Sequence, residues 1–192
     1  MSFEEDRKQA IRMRNAQNRA RAKTMERNIA KLLRGRRQPY SGAGVDKGDV
    51  RVPITADGFD RRFYLVECKI SSQISDGVPR ISFPFKWIRK ITDEAVQLNA
   101  EFGAVVIQFL GSRDYYFILP WELFATDAVK IYHEISYPDK RSYLLKKNKL
   151  VDILKSADAL VLATDMGRFV ICDHRVFNEW LEEKYAYRTL SE

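Results

Sequence analysis

Eight consecutive residues, Phe63-Tyr64-Leu65-Val66-Glu67-Cys68-Lys69-Ile70, constrain this chain more than any other stretch. Their aromatic and branched apolar side chains mark a strand. Side chains along a strand alternate between two faces. Glu67 and Lys69 therefore share one face, and Tyr64, Val66, Cys68 and Ile70 share the other. A carboxylate and an ammonium set in such an apolar strand are costly to bury unless something uses them. Eighteen residues upstream, Asp49 opens a second strand-like run, Asp49-Val50-Arg51-Val52-Pro53-Ile54, and Asp57-Gly58 between the two marks a hairpin turn. An aspartate at one strand end, followed by Glu-x-Lys in the next strand, is the set that metal-dependent phosphodiester cleavage requires. Two carboxylates hold a hard divalent cation, and a lysine orients the attacking water or steadies developing charge.

The charge is unevenly spread. Residues 1–40 carry twelve Lys/Arg against four Asp/Glu, a local +8, while the whole chain is +7, so the remainder sums to −1. A basic block of this kind points to a polyanion, because neutralising phosphates releases their counterions. A solvated helix face is the plainer alternative, and the block's position directly before the charged strands favours nucleic acid. At 192 residues and 45% hydrophobic, the chain suits a single domain with a real core. We divide it into a basic helical extension (1–24), a catalytic core (25–125) and C-terminal additions (126–192). Cys68 and Cys172 both lie in apolar runs and read as buried free thiols of a reducing compartment. No apolar run approaches membrane-spanning length and no signal-peptide pattern opens the chain. The expected setting is therefore the cytoplasm, or a host's cytoplasm if the chain is viral, without membrane contact.

Residues 4–34 read as a long basic helix, free of Pro and Gly. Its apolar stripe is clear only in the second half, at Ala22, Met25, Ile29, Leu32 and Leu33. Glu26 falls about 60° from Ile29, at the seam between that stripe and the basic flank of Lys23, Arg27 and Arg34. There it could reach a neighbouring metal site, or simply pair with Lys23 or Arg27. Gln38–Gly48 reads as a flexible Gly-rich loop and 71–85 as a polar, Pro-containing one. Helix is expected over 86–101, strands over Gly103–Leu110 and Tyr115–Leu119, and a short helix from Pro120. A hairpin is expected from Ala159–Ala163 and Arg168–Cys172, and a closing helix around Val176, Phe177, Trp180 and Leu181. The order implies a mixed α/β sheet flanked by helices. Ser136–Lys149, basic and interleaved with Tyr137 and Tyr143, reads equally as a second nucleic-acid contact, through Lys146 and Lys147, or as a solvated loop.

Taken together, Glu26 in the first helix, the Ser41-Gly42-Ala43-Gly44 loop, Lys47-Gly48-Asp49-Val50 and Glu67-Cys68-Lys69 resemble the PD-(D/E)XK nuclease superfamily. They are most similar to the Holliday junction resolvases of archaea, their viruses and bacteriophages. The resemblance spans residues 20–110. One departure is that Gly48, rather than proline, precedes Asp49. It implies a restriction-endonuclease-like fold and a metal-dependent, structure-selective DNA endonuclease acting on four-way junctions as a homodimer. It also implies Asp49, Glu67 and the backbone carbonyl of Cys68 as ligands of Mg²⁺, with Mn²⁺ as the expected substitute. Lys69 would position the water, and Glu26 would serve a second metal or its water. Lys23, Arg27, Arg36, Arg37, Ser41 and Lys47 are the expected DNA contacts beside this centre.

Other chemistries lack their residues. His133 and His174 are isolated, so a His-based or zinc centre has no ligand set. Two cysteines cannot hold an iron–sulfur cluster. Gly42-Ala43-Gly44 lacks the Gly-Lys-Ser/Thr of a phosphate-binding loop. Two alternatives stand beside junction resolution: a restriction- or repair-type nuclease of the same superfamily, and a non-catalytic nucleic-acid-binding protein on the same fold.

Overall fold

The computed structural model describes residues 3–38, 48–54, 62–71, 73–124, 129–138 and 141–185. The Asp57-Gly58 turn lies outside them. Its centre is an eight-stranded mixed sheet in the order β1-β2-β3-β6-β7-β11-β10-β8. Residues 36–120 supply β1 (Arg36–Arg37), β2 (Val50–Pro53), β3 (Phe63–Ile70), β6 (Gly103–Gln108) and β7 (Tyr116–Pro120). The remaining strands are β8 (Tyr132–Ser136), β10 (Ala159–Thr164) and β11 (Gly167–Asp173). β2 and β3 form the expected antiparallel hairpin, in the register Val50↔Val66. β3 then pairs parallel with β6, the crossover being made by α2 (Lys86–Gln97). The last third of the chain continues this sheet: β11 pairs antiparallel with β7, and β8 forms an edge parallel to β10.

The alternation of β3 divides the core into two layers. Tyr64, Val66 and Cys68 face one cluster with Met25 and Ile29 of α1 (Phe3–Leu32), Leu33 just past its end, and Val176, Phe177, Trp180 and Leu181 of α5 (His174–Tyr185). Phe124 of the short helix α3 (Trp121–Phe124) joins the same layer. Phe63 and Leu65 face the other cluster, with Ile88, Ile91 and Ala95 of α2 and Leu150 of α4 (Lys147–Ser156). Gly103 allows α2 to lie this close to the sheet, since a Cβ there would stand 2.4 Å from the Ile91 carbonyl oxygen.

Two segments differ from expectation. Residues 71–85 are not a loop: β4 (Gln73–Ser75) and β5 (Val78–Pro84) form a hairpin, and β5 pairs with β9 (Ser142–Lys146) in a separate three-stranded sheet. Ile81, Phe83 and Phe85 are buried beneath it. The prolines at 79 and 84 read as loop signals, yet each sits toward an end of β5 where only one strand pairs with it, β4 at Pro79 and β9 at Pro84. For the same reason Ser136–Lys149 is no solvated loop. Tyr143 is buried in the second core layer, edge-on to Tyr137 with centroids 5.0 Å apart. These tyrosines are packing residues rather than a stacking platform. Among the described residues no helix is long and apolar enough to cross a membrane.

Candidate active site

The hairpin register brings Asp49 to the Glu67–Lys69 end of β3. Val50↔Val66 is the last pair of β2 and β3, and Asp49 stands directly before it. The Asp49 N–H donates to the Val66 carbonyl (2.8 Å). β2 begins only at Val50, so β3 runs on past its partner. The Cys68 N–H at this uncovered edge is taken by the Asp49 Oδ2 (2.7 Å). In an antiparallel pair the N–H and C=O of one residue point to the same side, which turns the Cys68 carbonyl to the edge where Asp49 lies. Gly48 makes the corner with φ +71°, a conformation natural to glycine. Proline, whose φ is held near −65°, would not fit this corner.

On the other layer, Glu67 is 7% exposed and its charge is answered by amines. Lys69 Nζ donates to Glu67 Oε1, and Lys90 Nζ of α2 lies 3.6 Å from the same oxygen. Lys90 also sits 3.7 Å from Glu94 Oε1, while Glu94 Oε2 accepts the Gly48 N–H at 3.0 Å. A chain of contacts thus runs from the Gly48–Asp49 corner through Glu94 and Lys90 to Glu67. Lys69 lies 5.3 Å from the Trp87 ring centroid. These groups open on a cleft of about 680 Å³ lined by Glu67, Lys69 and the α2 residues Lys86, Lys90, Asp93 and Glu94.

Glu26 approaches from the α1 layer, at the seam its position implied. Its partner is neither Lys23 nor Arg27 but Arg37 of β1, whose Nε donates to Glu26 Oε2 at 2.6 Å. Arg37, expected on DNA, therefore holds a half-buried carboxylate. The Cys68 thiol lies among all these groups. Burial, then the charges of Asp49, Glu26 and Glu67, push it well above the ordinary thiol range, with Lys69 opposing. Among the described residues no three of His, Cys, Asp and Glu converge into a metal cage. The candidate donors at the hairpin are two carboxylates, Asp49 and Glu67, and the Cys68 carbonyl. That suits Mg²⁺, which keeps several waters and takes one or two carboxylates, and does not suit a structural zinc, which needs four ligands.

Of the expected DNA contacts, Lys23, Arg27 and Arg36 are exposed along α1 and β1, while Ser41 and Lys47 lie outside the described residues. Lys146 closes β9 opposite Arg80 of β5, and Lys147 opens α4. Arg80 lines a smaller groove together with Lys69, Ser71 and Trp87, whereas neither Lys146 nor Lys147 lines it. Lys90 and Glu94 were missed from sequence. Their signal was their four-residue spacing beside the buried stripe Ile88, Ile91 and Ala95, which by itself reads as an ordinary surface pair.

No family model and no curated protein matches the chain. Among solved structures, a Holliday junction resolvase, Hjc, from the archaeal hyperthermophile Archaeoglobus fulgidus is similar to it, with a TM-score of 0.39 and 13% identity, covering 67% of this chain and 85% of that one.

Proposed function

We propose that this chain is a metal-dependent DNA endonuclease of the PD-(D/E)XK type, acting on branched DNA and resolving four-way junctions as a homodimer. The observation that supports it is the hairpin end. A Glu and, two residues on, a Lys of one strand line an open cleft, and the Asp that precedes the paired strand takes the backbone N–H of the residue between them. In this reading Asp49, Glu67 and the Cys68 carbonyl would hold Mg²⁺. When bound, the ion would supply Lewis-acid activation of water and neutralise charge on the scissile phosphate. Asp49 is pre-set for this role by the Cys68 N–H, which fixes one of its oxygens.

Lys69 would release Glu67 to the ion and turn its ammonium to the incoming water or the phosphate, with Trp87 limiting its swing. Lys90 would hold Glu67 in place. Glu26, tied to Arg37, would assist from the α1 side, at a second ion or its water.

Two opposed strands must be nicked to resolve a junction, and each chain carries one Asp49/Glu67/Lys69 set, so a twofold dimer supplies the second. The test is a gel assay on four-way, nicked, single-stranded and linear DNA, with and without Mg²⁺. Junction-selective nicking that requires Mg²⁺ and disappears in Asp49→Asn is the expected result. Mg²⁺-dependent cutting of linear duplex alone would leave a nuclease but remove junction resolution. Wild-type rates from Asp49→Asn would refute the centre. Mixed wild-type and Asp49→Asn protein should leave singly nicked circles from a supercoiled cruciform, where wild type gives linear product.

A further inference from the structure

The two ends of α1 behave differently. Its last turns are anchored by the buried Met25, Ile29, Ala30 and Leu33. From residue 4 to residue 21 every described side chain is exposed except the half-buried Asn18. Roughly 27 Å of helix, at about 1.5 Å per residue, therefore stands clear of the core. A helix that is polar all round and packs on nothing is marginal by itself, so this segment calls for a partner.

The arrangement of its charges says which. At about 100° per residue, Arg7, Arg14 and Arg21 fall within about 40° of one another. Lys8, Arg12, Arg19 and Lys23 form a second line about 150° away from the first. Between the two lines lies a floor of uncharged side chains, Ile11, Asn15, Asn18 and Ala22. Ile11 is 52% exposed there, in line with the stripe that Met25 and Ile29 bury further along. The acidic residues of this segment, Glu4, Glu5 and Asp6, are confined to the first turn.

We infer that residues 7–23 of α1 lie in the major groove of duplex DNA, the two basic lines reaching the phosphates of the two strands and the Asn15/Asn18 floor facing the base edges. The dimensions agree. A helix with its side chains is about 10–12 Å across, and the major groove of B-DNA is about 12 Å wide. Asparagine is a donor–acceptor pair matched to adenine in that groove. Arginine lines on opposite flanks have no use on a flat surface, whereas a groove presents phosphates on both sides. The inference rests on the DNA reading above and adds the docking mode. A duplex arm gripped by α1 would be held by an element rooted beside Glu26, one layer from the cleft.

The test uses the full-length protein in EDTA, so that nothing is cut, with a fluorescent duplex followed by anisotropy across a salt series. Arg14→Ala/Arg21→Ala removes two exposed side chains. It should flatten the slope of log K against log[salt] by about 2 and weaken binding about 60-fold at 0.1 M salt, from about 0.9 per phosphate contact. Lys31→Ala, on the back of the helix, should change neither. A duplex whose cytosines carry glucosylated hydroxymethyl groups keeps every phosphate but fills the major groove, and should bind at least about tenfold more weakly. Unchanged affinity for that duplex overturns groove docking, and an unchanged salt slope in the double variant overturns the phosphate lines. A wild-type dimer that the double variant dissociates, with duplex affinity untouched, would give the face to a second copy and overturn the proposal. Wild-type protein that nicks junctions with Mg²⁺ yet fails these tests loses only this inference. Protein that neither binds nor cuts DNA loses both readings.

Discussion

β3 and β11 are both central strands of one sheet, both bury a free cysteine, and both end in charge, yet their charges serve different ends. In β11, Cys172 is followed by Asp173, and the Asp173 carboxylate takes the N–H of Val176 at 2.9 Å, capping α5. A backbone donor satisfies it, as an N-cap should. In β3, Glu67 before Cys68 is answered by the mobile amines of Lys69 and Lys90. A first-turn N–H is fixed in place by the backbone of its helix, whereas an ammonium on a flexible side chain can be displaced by an incoming cation or phosphate. The carboxylate with exchangeable partners is the one free to do chemistry. Asp49, like Asp173, takes a backbone N–H, that of Cys68; what sets it apart is its place at the Glu67–Lys69 end of β3.

Substitutions at the two strand ends should therefore fail in opposite ways. Asp49→Asn and Glu67→Gln should each lower Mg²⁺-dependent cleavage by about 10³-fold, from the several kcal/mol a metal contributes. Thermal midpoints should move little, and DNA binding should persist. A folded Glu67→Gln protein that cleaves at the wild-type rate would erase the contrast. Next in size, Gly103→Ala should cost about 1–3 kcal/mol by urea unfolding, because its methyl meets the Ile91 carbonyl. By displacing α2 it should also reduce cleavage, through Lys90 and Glu94. Asp173→Ala should cost about 1 kcal/mol, the usual loss of an N-cap, with cleavage per folded molecule unchanged. A fall in kcat there would mean that β11 also belongs to the site.

The smallest effect concerns the two thiols, which burial pushes well above the ordinary range. The folded chain then holds these protons more tightly than the unfolded one. The stabilisation is complete below the unfolded thiol pKa of about 8.5 and is lost as pH rises through and beyond it. Thermal midpoints should fall between about pH 8.5 and 10, less steeply in Cys68→Ala/Cys172→Ala. Equal slopes would show that other groups govern that window.

What could be read from the residues was whatever depends on local period. The alternation of Phe63–Ile70 foretold which side chains of β3 face which layer. The stripes of Ile88, Ile91 and Ala95 and of Val176, Phe177 and Trp180 foretold the buried faces of α2 and α5. Long-range partners were not legible. Arg37 reaches Glu26 because β1 folds back beside α1, and nothing in the spacing of the two residues says so. The β4–β5 hairpin was hidden by its prolines and by a partner, β9, almost sixty residues further on. Lys90 and Glu94 became site residues only once Gly103 was seen to let α2 approach. Period reports a face, while pairing across the chain decides what that face meets.

The strand order also bears on how the molecule comes into being during synthesis. Asp49, Glu67 and Lys69 leave the ribosome early, but the aromatic shell over β3 does not. Tyr64 stacks on Phe102 (4.6 Å) and lies edge-on to Phe177 (6.0 Å), and Trp180 closes against Phe102 (5.1 Å). Until residues 167–173 emerge, β7 lacks the neighbour it acquires in β11, and until α5 follows, its core layer has no lid. Chains elongate at about 5–20 residues per second, so a nascent chain spends several seconds with its charged strand made and its support unmade. Premature termination anywhere before α5 should thus yield protease-sensitive fragments rather than a smaller folded protein.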